Sequence, residues 1–266
     1  MKKGLLLLLA FLLLATLFAC GSDQAPNGGD EISLTVFAAA SLSEVLLEIA
    51  EYFTEKFPHV SIRFSFDSSG TLQRQIEEGA QADVFISADT REIEVLEMEH
   101  FLLENSRVDL LENQLVLVVP SHNPGNIESF THMVAALLAE DILLAIGNMD
   151  VPAGRYAQEV LNYLGLDHRQ LAQMGLITYG FNVREVAIQV REASAHAGMV
   201  YLTDALSFDL NIVDIATLEM TGPIIYPAAI LRDSQHSDTA QLFLDFLGGE
   251  KAMGIFTAWG FHPFVK

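Results

Sequence analysis

The stretch FAAASLSEVLLEI (Phe37–Ile49) passes from a strand pattern to a helix pattern within a few small residues. Upstream, apolar and polar residues alternate over positions 32–36, which indicates a half-buried strand. Downstream, apolar residues recur over positions 45–57 at the spacing of one helix face. Between the two patterns, Ser41 and Glu44 have the S-x-x-E spacing of a capping box, so we predict that Ser41 caps this helix.

The same strand-then-helix order repeats along the chain, and this order predicts an α/β protein with mainly parallel sheets. In such sheets ligands bind beyond the carboxyl ends of the strands, where helix N-termini point. We predict four helix starts of this kind, at Ser41, Ser69, Pro152 and Asn182. Each offers unpaired backbone N–H groups and a positive dipole end, which together favour an anion.

The N-terminal segment has the pattern of an export signal. Lys2 and Lys3 precede an apolar run that ends in LFAC (Leu17–Cys20), so we predict a signal peptide over residues 1–19. A Leu-x-small-Cys ending resembles the lipobox of bacterial lipoproteins, which implies cleavage before Cys20 and a lipid on its sulfur. The alternative, a membrane span, is disfavoured because the run is short. Residues 20–30 are small and polar, so we expect a flexible tether.

Charge and cysteine content exclude some classes of partner and bond. The chain has 14 basic and 35 acidic residues, a net charge of −21, which argues against a nucleic-acid partner. Cys20 is the only cysteine, so the chain cannot form an internal disulfide.

Five stretches carry a resemblance to one protein family. They occur in that family's order between residue 32 and the WGF near the C-terminus: FAAASL (Phe37–Leu42), FDSSGTLQRQIEEGAQADVFISAD (Phe66–Asp89), VPAGRYAQEVL (Val151–Leu161), NVREVA (Asn182–Ala187) and GMVYLTDA (Gly198–Ala205). The chain thereby resembles the molybdate-binding proteins of bacterial ABC importers. That resemblance implies a two-lobed periplasmic binding protein fold of type II with a ligand cleft between the lobes. Lobe 1 is expected over residues 31–113 plus 224–266 and lobe 2 over 114–223.

The resemblance also implies a ligand and a site. The ligand is molybdate or tungstate, held by the hydroxyls of Ser41, Ser69 and Tyr201 and by the backbone N–H groups of Ala153 and Val183. It further implies delivery to ABC permease subunits by an extracytoplasmic, membrane-anchored, monomeric lipoprotein. We expect no catalytic residue, no cofactor and no bound metal cation.

Alternative functions stay open at this point. A serine hydrolase using Ser41 or Ser69 is the first alternative, yet the chain has no G-x-S-x-G elbow and no histidine placed by a motif. A different cargo, such as sulfate, phosphate or an organic acid, keeps the binding function. An organic acid usually needs an arginine for its carboxylate, and Arg155 and Arg184 lie close to the expected site in sequence. A plain interaction domain on the cell surface is the third alternative.

Overall fold

The strand that precedes the opening stretch lies inside the larger of two sheets. In the computed structural model, which describes residues 31–265, strand β1 (Ile32–Ala39) pairs in parallel with a strand on either side. Leu34 and Val36 pack into the main hydrophobic core, while Phe37 packs into a second core cluster on the opposite face. The predicted signal peptide, Cys20 and the tether lie outside the described residues.

The larger sheet has six strands in the order β11-β4-β10-β3-β1-β2. Besides β1, they are β2 (Val60–Asp67), β3 (Val84–Ile86), β4 (Val108–Asn113), β10 (Ile224–Ile230) and β11 (His262–Pro263). The smaller sheet has five strands in the order β7-β6-β8-β5-β9. These are β5 (Leu115–Val119), β6 (Leu144–Gly147), β7 (Ile177–Gly180), β8 (Ala197–Tyr201) and β9 (Asn211–Ile215).

Eleven α-helices connect the strands in the described part of the chain. In chain order they are α1 (Ser43–Lys56), α2 (Ser69–Glu77), α3 (Thr90–Met98), α4 (Phe130–Leu138), α5 (Pro152–Tyr163), α6 (His168–Gln173), α7 (Val183–Arg191), α8 (Leu202–Ser207), α9 (Leu218–Thr221), α10 (Ser237–Leu247) and α11 (Glu250–Ala258). Among residues 31–265, none of the helices combines the length and the apolar character that a membrane crossing needs.

Both sheets are mixed rather than mainly parallel. The pairs β1–β2, β1–β3, β6–β7 and β6–β8 are parallel, and the five other pairs are antiparallel. Strand β4 leads to β5 through Gln114 alone, and the two strands belong to different sheets. Hydrophobic periodicity reports which residues are buried and not which way a strand runs, so the sequence pattern did not reveal these antiparallel pairs.

Each sheet organises one part of the chain, and we call these parts lobe 1 (the six-stranded sheet) and lobe 2 (the five-stranded sheet). The chain passes from lobe 1 to lobe 2 between Asn113 and Leu115, and it returns between Ile215 and Ile224. The lobe limits given above, 113/114 and 223/224, stay our prediction. The fold thus places the starts of α1, α2 and α3 on one side of a cleft and those of α5 and α7 on the other.

Candidate functional site

Ser41 faces the protein interior and does not cap a helix. A short 3-10 turn (Ala40–Leu42) follows β1, and α1 begins only at Ser43, with no side-chain hydrogen bond at its N-cap. The predicted capping box is therefore wrong, because the turn moves the helix start beyond Ser41. The buried Ser41 Oγ instead lies 3.0 Å from the hydroxyl oxygen of Tyr226 on β10.

Ser69 is the first residue of α2 and is completely buried. Its neighbour Ser68 is the N-cap, accepting a hydrogen bond from the N–H of Thr71 at 3.2 Å. This arrangement frees the side chain of Ser69 from capping. Its Oγ accepts a hydrogen bond from the backbone N–H of Ala88 at 2.9 Å.

Tyr201 reaches the backbone of the same residue, Ala88, from lobe 2. It ends β8, and its buried hydroxyl donates to the carbonyl oxygen of Ala88 at 3.3 Å. Its ring also meets the ring of Tyr226 edge to face, with the ring centroids 5.6 Å apart. Tyr226 in turn contacts Ser41, so the structure brings Ser41, Ser69 and Tyr201 together with Tyr226. We call these four side chains the hydroxyl cluster.

Ala153 and Val183 lie at the predicted helix starts of lobe 2. Ala153 is the second residue of α5, after Pro152, and Val183 is the first residue of α7; both are buried. Asn182 caps α7 as predicted, since its side chain accepts from the Glu185 N–H at 3.1 Å. The first N–H groups of a helix have no partner within the helix, so both helices present donors and a positive dipole end.

Ion pairs across the cleft align these helix starts with lobe 1. The Arg155 guanidinium on α5 donates through Nη2 to Asp89 Oδ2 at 2.7 Å and to Glu92 Oε1 at 2.6 Å. Arg184 on α7 pairs with Glu44 on α1. The two arginines adjacent to the expected site in sequence are thus already paired with carboxylates.

The Arg155 ion pair is more buried than a surface salt bridge. The side chains of Arg155, Asp89 and Glu92 are 11%, 15% and 2% exposed. Burial raises the pKa of Glu92, and the Arg155 guanidinium opposes that shift. Because a buried carboxylate depends on its partner, the pair favours one relative position of the lobes.

A buried acid, Asp204 on α8, lies near the same region. Its carboxyl oxygens have no hydrogen-bond partner within the described residues. Burial raises the pKa of Asp204 to about 8, with Arg184 opposing the shift and Glu44 adding to it. The group is therefore mostly neutral at pH 7, so it places little negative charge beside the cluster.

Sequence patterns did not identify Tyr226, Asn113, Ala88 or Asp204. Tyr226 has a usable signal, because a phenol within the apolar strand IIYPAAI needs a buried hydrogen-bond partner. Asn113 offers a similar signal as a buried amide at the end of β4. The role of Ala88 is purely in its backbone, which no residue type reports.

The family model and the individual relatives that match this chain agree on one protein family. Residues 34–262 match the model of the family described as bacterial extracellular solute-binding protein. A Bacillus subtilis (strain 168) protein provisionally named an ABC transporter substrate-binding lipoprotein, YvgL, is 37% identical over 96% of this chain and 95% of its own. The molybdate-binding protein ModA of Haemophilus influenzae is 32% identical over 86% of this chain and 89% of its own.

A solved structure confirms the predicted fold class. The periplasmic molybdate-binding protein of Azotobacter vinelandii superposes with a TM-score of 0.76 at 27% identity, covering 86% of this chain and 98% of that one. These relatives are solute-binding proteins and not enzymes, which sets the hydrolase alternative aside. The chain belongs to the family of bacterial extracellular solute-binding proteins.

Proposed function

We propose that this protein captures molybdate, or the similarly sized tungstate, between its two lobes and delivers it to the permease subunits of an ABC importer. The observation that carries the proposal is the hydroxyl cluster, in which Ser41 and Ser69 from lobe 1 meet Tyr201 from lobe 2. The helix starts at Ala153 and Val183 supply the backbone donors. The named molybdate-binding relatives support the choice of ligand.

Neutral donors suit a tetrahedral dianion. Such an anion loses a large hydration energy when it leaves water, and only a full set of aimed hydrogen bonds offsets that loss. Each bond to a charged acceptor contributes roughly 1.5–3 kcal/mol. Fixed hydroxyl and N–H groups provide these bonds without a mobile countercharge. A pocket whose nearby arginines already bind carboxylates has no free fork for an organic acid.

One existing bond must rearrange when the anion binds. The Tyr201 hydroxyl has a single proton, which it donates to the carbonyl of Ala88. It cannot donate this proton to Ala88 and to a ligand at once. At 3.3 Å the hydrogen bond to Ala88 is long, so turning the Tyr201 O–H from Ala88 to a charged ligand oxygen costs little.

Selectivity follows from the size and protonation of the anion. Sulfate has the same charge but is smaller, so rigid donors from two lobes do not all reach it. Phosphate often keeps a proton near neutral pH, and an all-donor site leaves that proton unpaired. The fold itself does not choose among these anions, because the choice depends on the distances within the cluster.

Competition titration calorimetry with molybdate, tungstate, sulfate and phosphate tests the proposal. We expect molybdate and tungstate to bind with similar affinity and to displace each other, and sulfate and phosphate to compete poorly. Preferential binding of sulfate or phosphate contradicts the assignment of the cargo. If none of the four anions binds, the oxyanion function itself is wrong.

The proposal places the protein outside the cytoplasm, anchored by a lipid on Cys20. The substitution Cys20→Ser, expressed with the full signal segment, is the test. We expect the protein to move from the membrane fraction to the soluble extracytoplasmic fraction. Unchanged membrane association contradicts lipid attachment at this residue.

A further inference from the structure

Within the hydroxyl cluster, Tyr226 lies between Ser41 of lobe 1 and Tyr201 of lobe 2. It is wholly buried on β10, in lobe 1. Its hydroxyl oxygen lies 3.0 Å from Ser41 Oγ and 3.1 Å from Asn113 Nδ2, and its ring packs edge to face against that of Tyr201. It therefore contacts one expected ligand residue from each lobe.

The orientation of the Asn113 amide is fixed by its surroundings. Its Oδ1 accepts the N–H of Gln114 at 2.8 Å, so its nitrogen faces the cluster. The two protons on that nitrogen go to Thr203 Oγ1, at 3.0 Å in lobe 2, and to the Tyr226 hydroxyl. An amide nitrogen only donates, so the Tyr226 oxygen must accept from Asn113.

The direction of the next hydrogen bond follows from this one. Tyr226 has one proton, and within the cluster the Ser41 oxygen lies at hydrogen-bond distance to accept it. Burial raises the pKa of Tyr226 well above its ordinary value, so the phenol keeps this proton. A hydroxyl that accepts from Tyr226 has its own proton free to point towards a ligand.

We propose that Tyr226 is a positioning residue that donates to Ser41 and so turns the Ser41 proton towards the ligand, and that it thereby sets the discrimination against protonated anions such as hydrogen phosphate. This inference rests on the proposed oxyanion function. A donor-only site leaves the P–O–H proton of hydrogen phosphate without an acceptor, which costs the full desolvation of that group. Without Tyr226 the Ser41 oxygen loses its incoming bond and becomes free to accept that proton.

The test compares Tyr226→Phe with the unaltered protein by calorimetric titration of molybdate, followed by displacement with phosphate. We expect molybdate binding to weaken about 10-fold, because one aligned hydrogen bond is lost. We expect phosphate binding to weaken less or to strengthen, so that the molybdate-to-phosphate affinity ratio falls. Tyr156→Phe is the matched control: Tyr156 is also buried, its ring lies 6.4 Å from that of Tyr201, and within the described residues its hydroxyl takes no part in the cluster's hydrogen bonds.

A second measurement separates positioning from packing. In a double-mutant cycle, Tyr226→Phe added to Ser41→Ala should weaken molybdate binding by less than it does alone, because Tyr226 acts partly through Ser41. Should Tyr226→Phe fail to fold, Asn113→Ala removes the donor that fixes the phenol, and the same fall in the anion ratio is expected.

Two results overturn the inference: an unchanged molybdate affinity, or an equal loss for both anions with additive effects in the cycle. Failure of the unaltered protein to bind molybdate is a different result, and it refutes the proposed function instead.

Discussion

Replacing Arg155 should strongly disfavour the closed position of the lobes, because its ion pair is buried. In the structure its Nη2 donates to Asp89 and Glu92 of lobe 1, at 2.7 and 2.6 Å, and its Nη1 donates to the carbonyl of Met149 at 3.2 Å. Arg155→Met keeps an unbranched apolar stem but removes the guanidinium and its charge. Asp89 and Glu92 then share a buried space with no cation.

The size of the effect follows from burial. Removing one partner of a buried ion pair costs roughly 3–5 kcal/mol. We take the lower value, because the Asp89 side chain is 15% exposed and recovers some hydration. A cost of about 3 kcal/mol confined to the closed form weakens molybdate binding about 100-fold. Most of the change should appear as faster dissociation, since the pair forms only after the lobes meet.

Arg74 provides the matched control. It also pairs across the cleft, with Asp150 at 2.8 Å, but the two side chains are 46% and 51% exposed. Exposed pairs contribute about 0–1 kcal/mol, so Arg74→Met should weaken binding less than about fivefold. Stopped-flow fluorescence of Trp259 or calorimetry measures both variants.

A compensating variant distinguishes loss of the pair from added negative charge. Arg155→Met combined with Glu92→Gln removes one positive and one negative charge, so the net charge does not change. Asp89 is then the one carboxylate of this ion pair that remains charged. We expect this double variant to recover a substantial part of the lost affinity. Equal effects of Arg155→Met and Arg74→Met, or no recovery in the double variant, refute the reasoning.

Three further changes probe the same cleft. In the unaltered protein, the raised pKa of Asp204 means that the folded state keeps a proton that the unfolded chain loses. The free energy of unfolding therefore falls by up to about 1.4 kcal/mol per pH unit from about pH 4 to about pH 8. Asp204→Asn should flatten this pH dependence, as urea titrations at several pH values can measure. Ser69→Ala leaves a buried N–H without an acceptor, so it should cost about 1–3 kcal/mol in urea unfolding and also weaken molybdate binding. Gly70→Ala should weaken molybdate binding without loss of secondary structure, because a Cβ there overlaps the Asp150 carbonyl across the cleft. Gly254→Ala is the control in the same calorimetric titration, because a Cβ at Gly254 meets open space.

Local patterns in the sequence predicted the elements but not how distant elements meet. The strand and helix of the opening stretch follow from periodicity, and Pro152 and Asn182 mark helix starts correctly. The capping box at Ser41 failed because three residues of 3-10 turn look the same as a helix start in a short window. A pattern of four residues contains no information on which turn the tertiary structure selects.

Contacts between remote residues were beyond such patterns. Arg155 and Asp89 are separated by 66 positions, and Ser41 and Tyr226 by 185. Nothing near Ser41 in the sequence indicates that its partner is a tyrosine on a strand of the returning chain. The resemblance to a family identified candidate ligand residues, but it did not identify the residue that orients their protons.

If the proposed function is right, the paired arginines explain how a strongly acidic protein holds a dianion without a basic clamp. Arg155 and Arg184 both belong to lobe 2, and their carboxylate partners all belong to lobe 1. Closing the cleft therefore neutralises each arginine at the same step that brings the hydroxyls of the two lobes together. The ion pairs of these arginines stabilise the relative position of the lobes. The anion then contacts only neutral donors, whose directions are fixed. A free guanidinium would attract any anion, because its charge is indifferent to size and protonation. By placing its cations on the closing contacts, the protein leaves discrimination to distance and to the direction of each O–H and N–H bond.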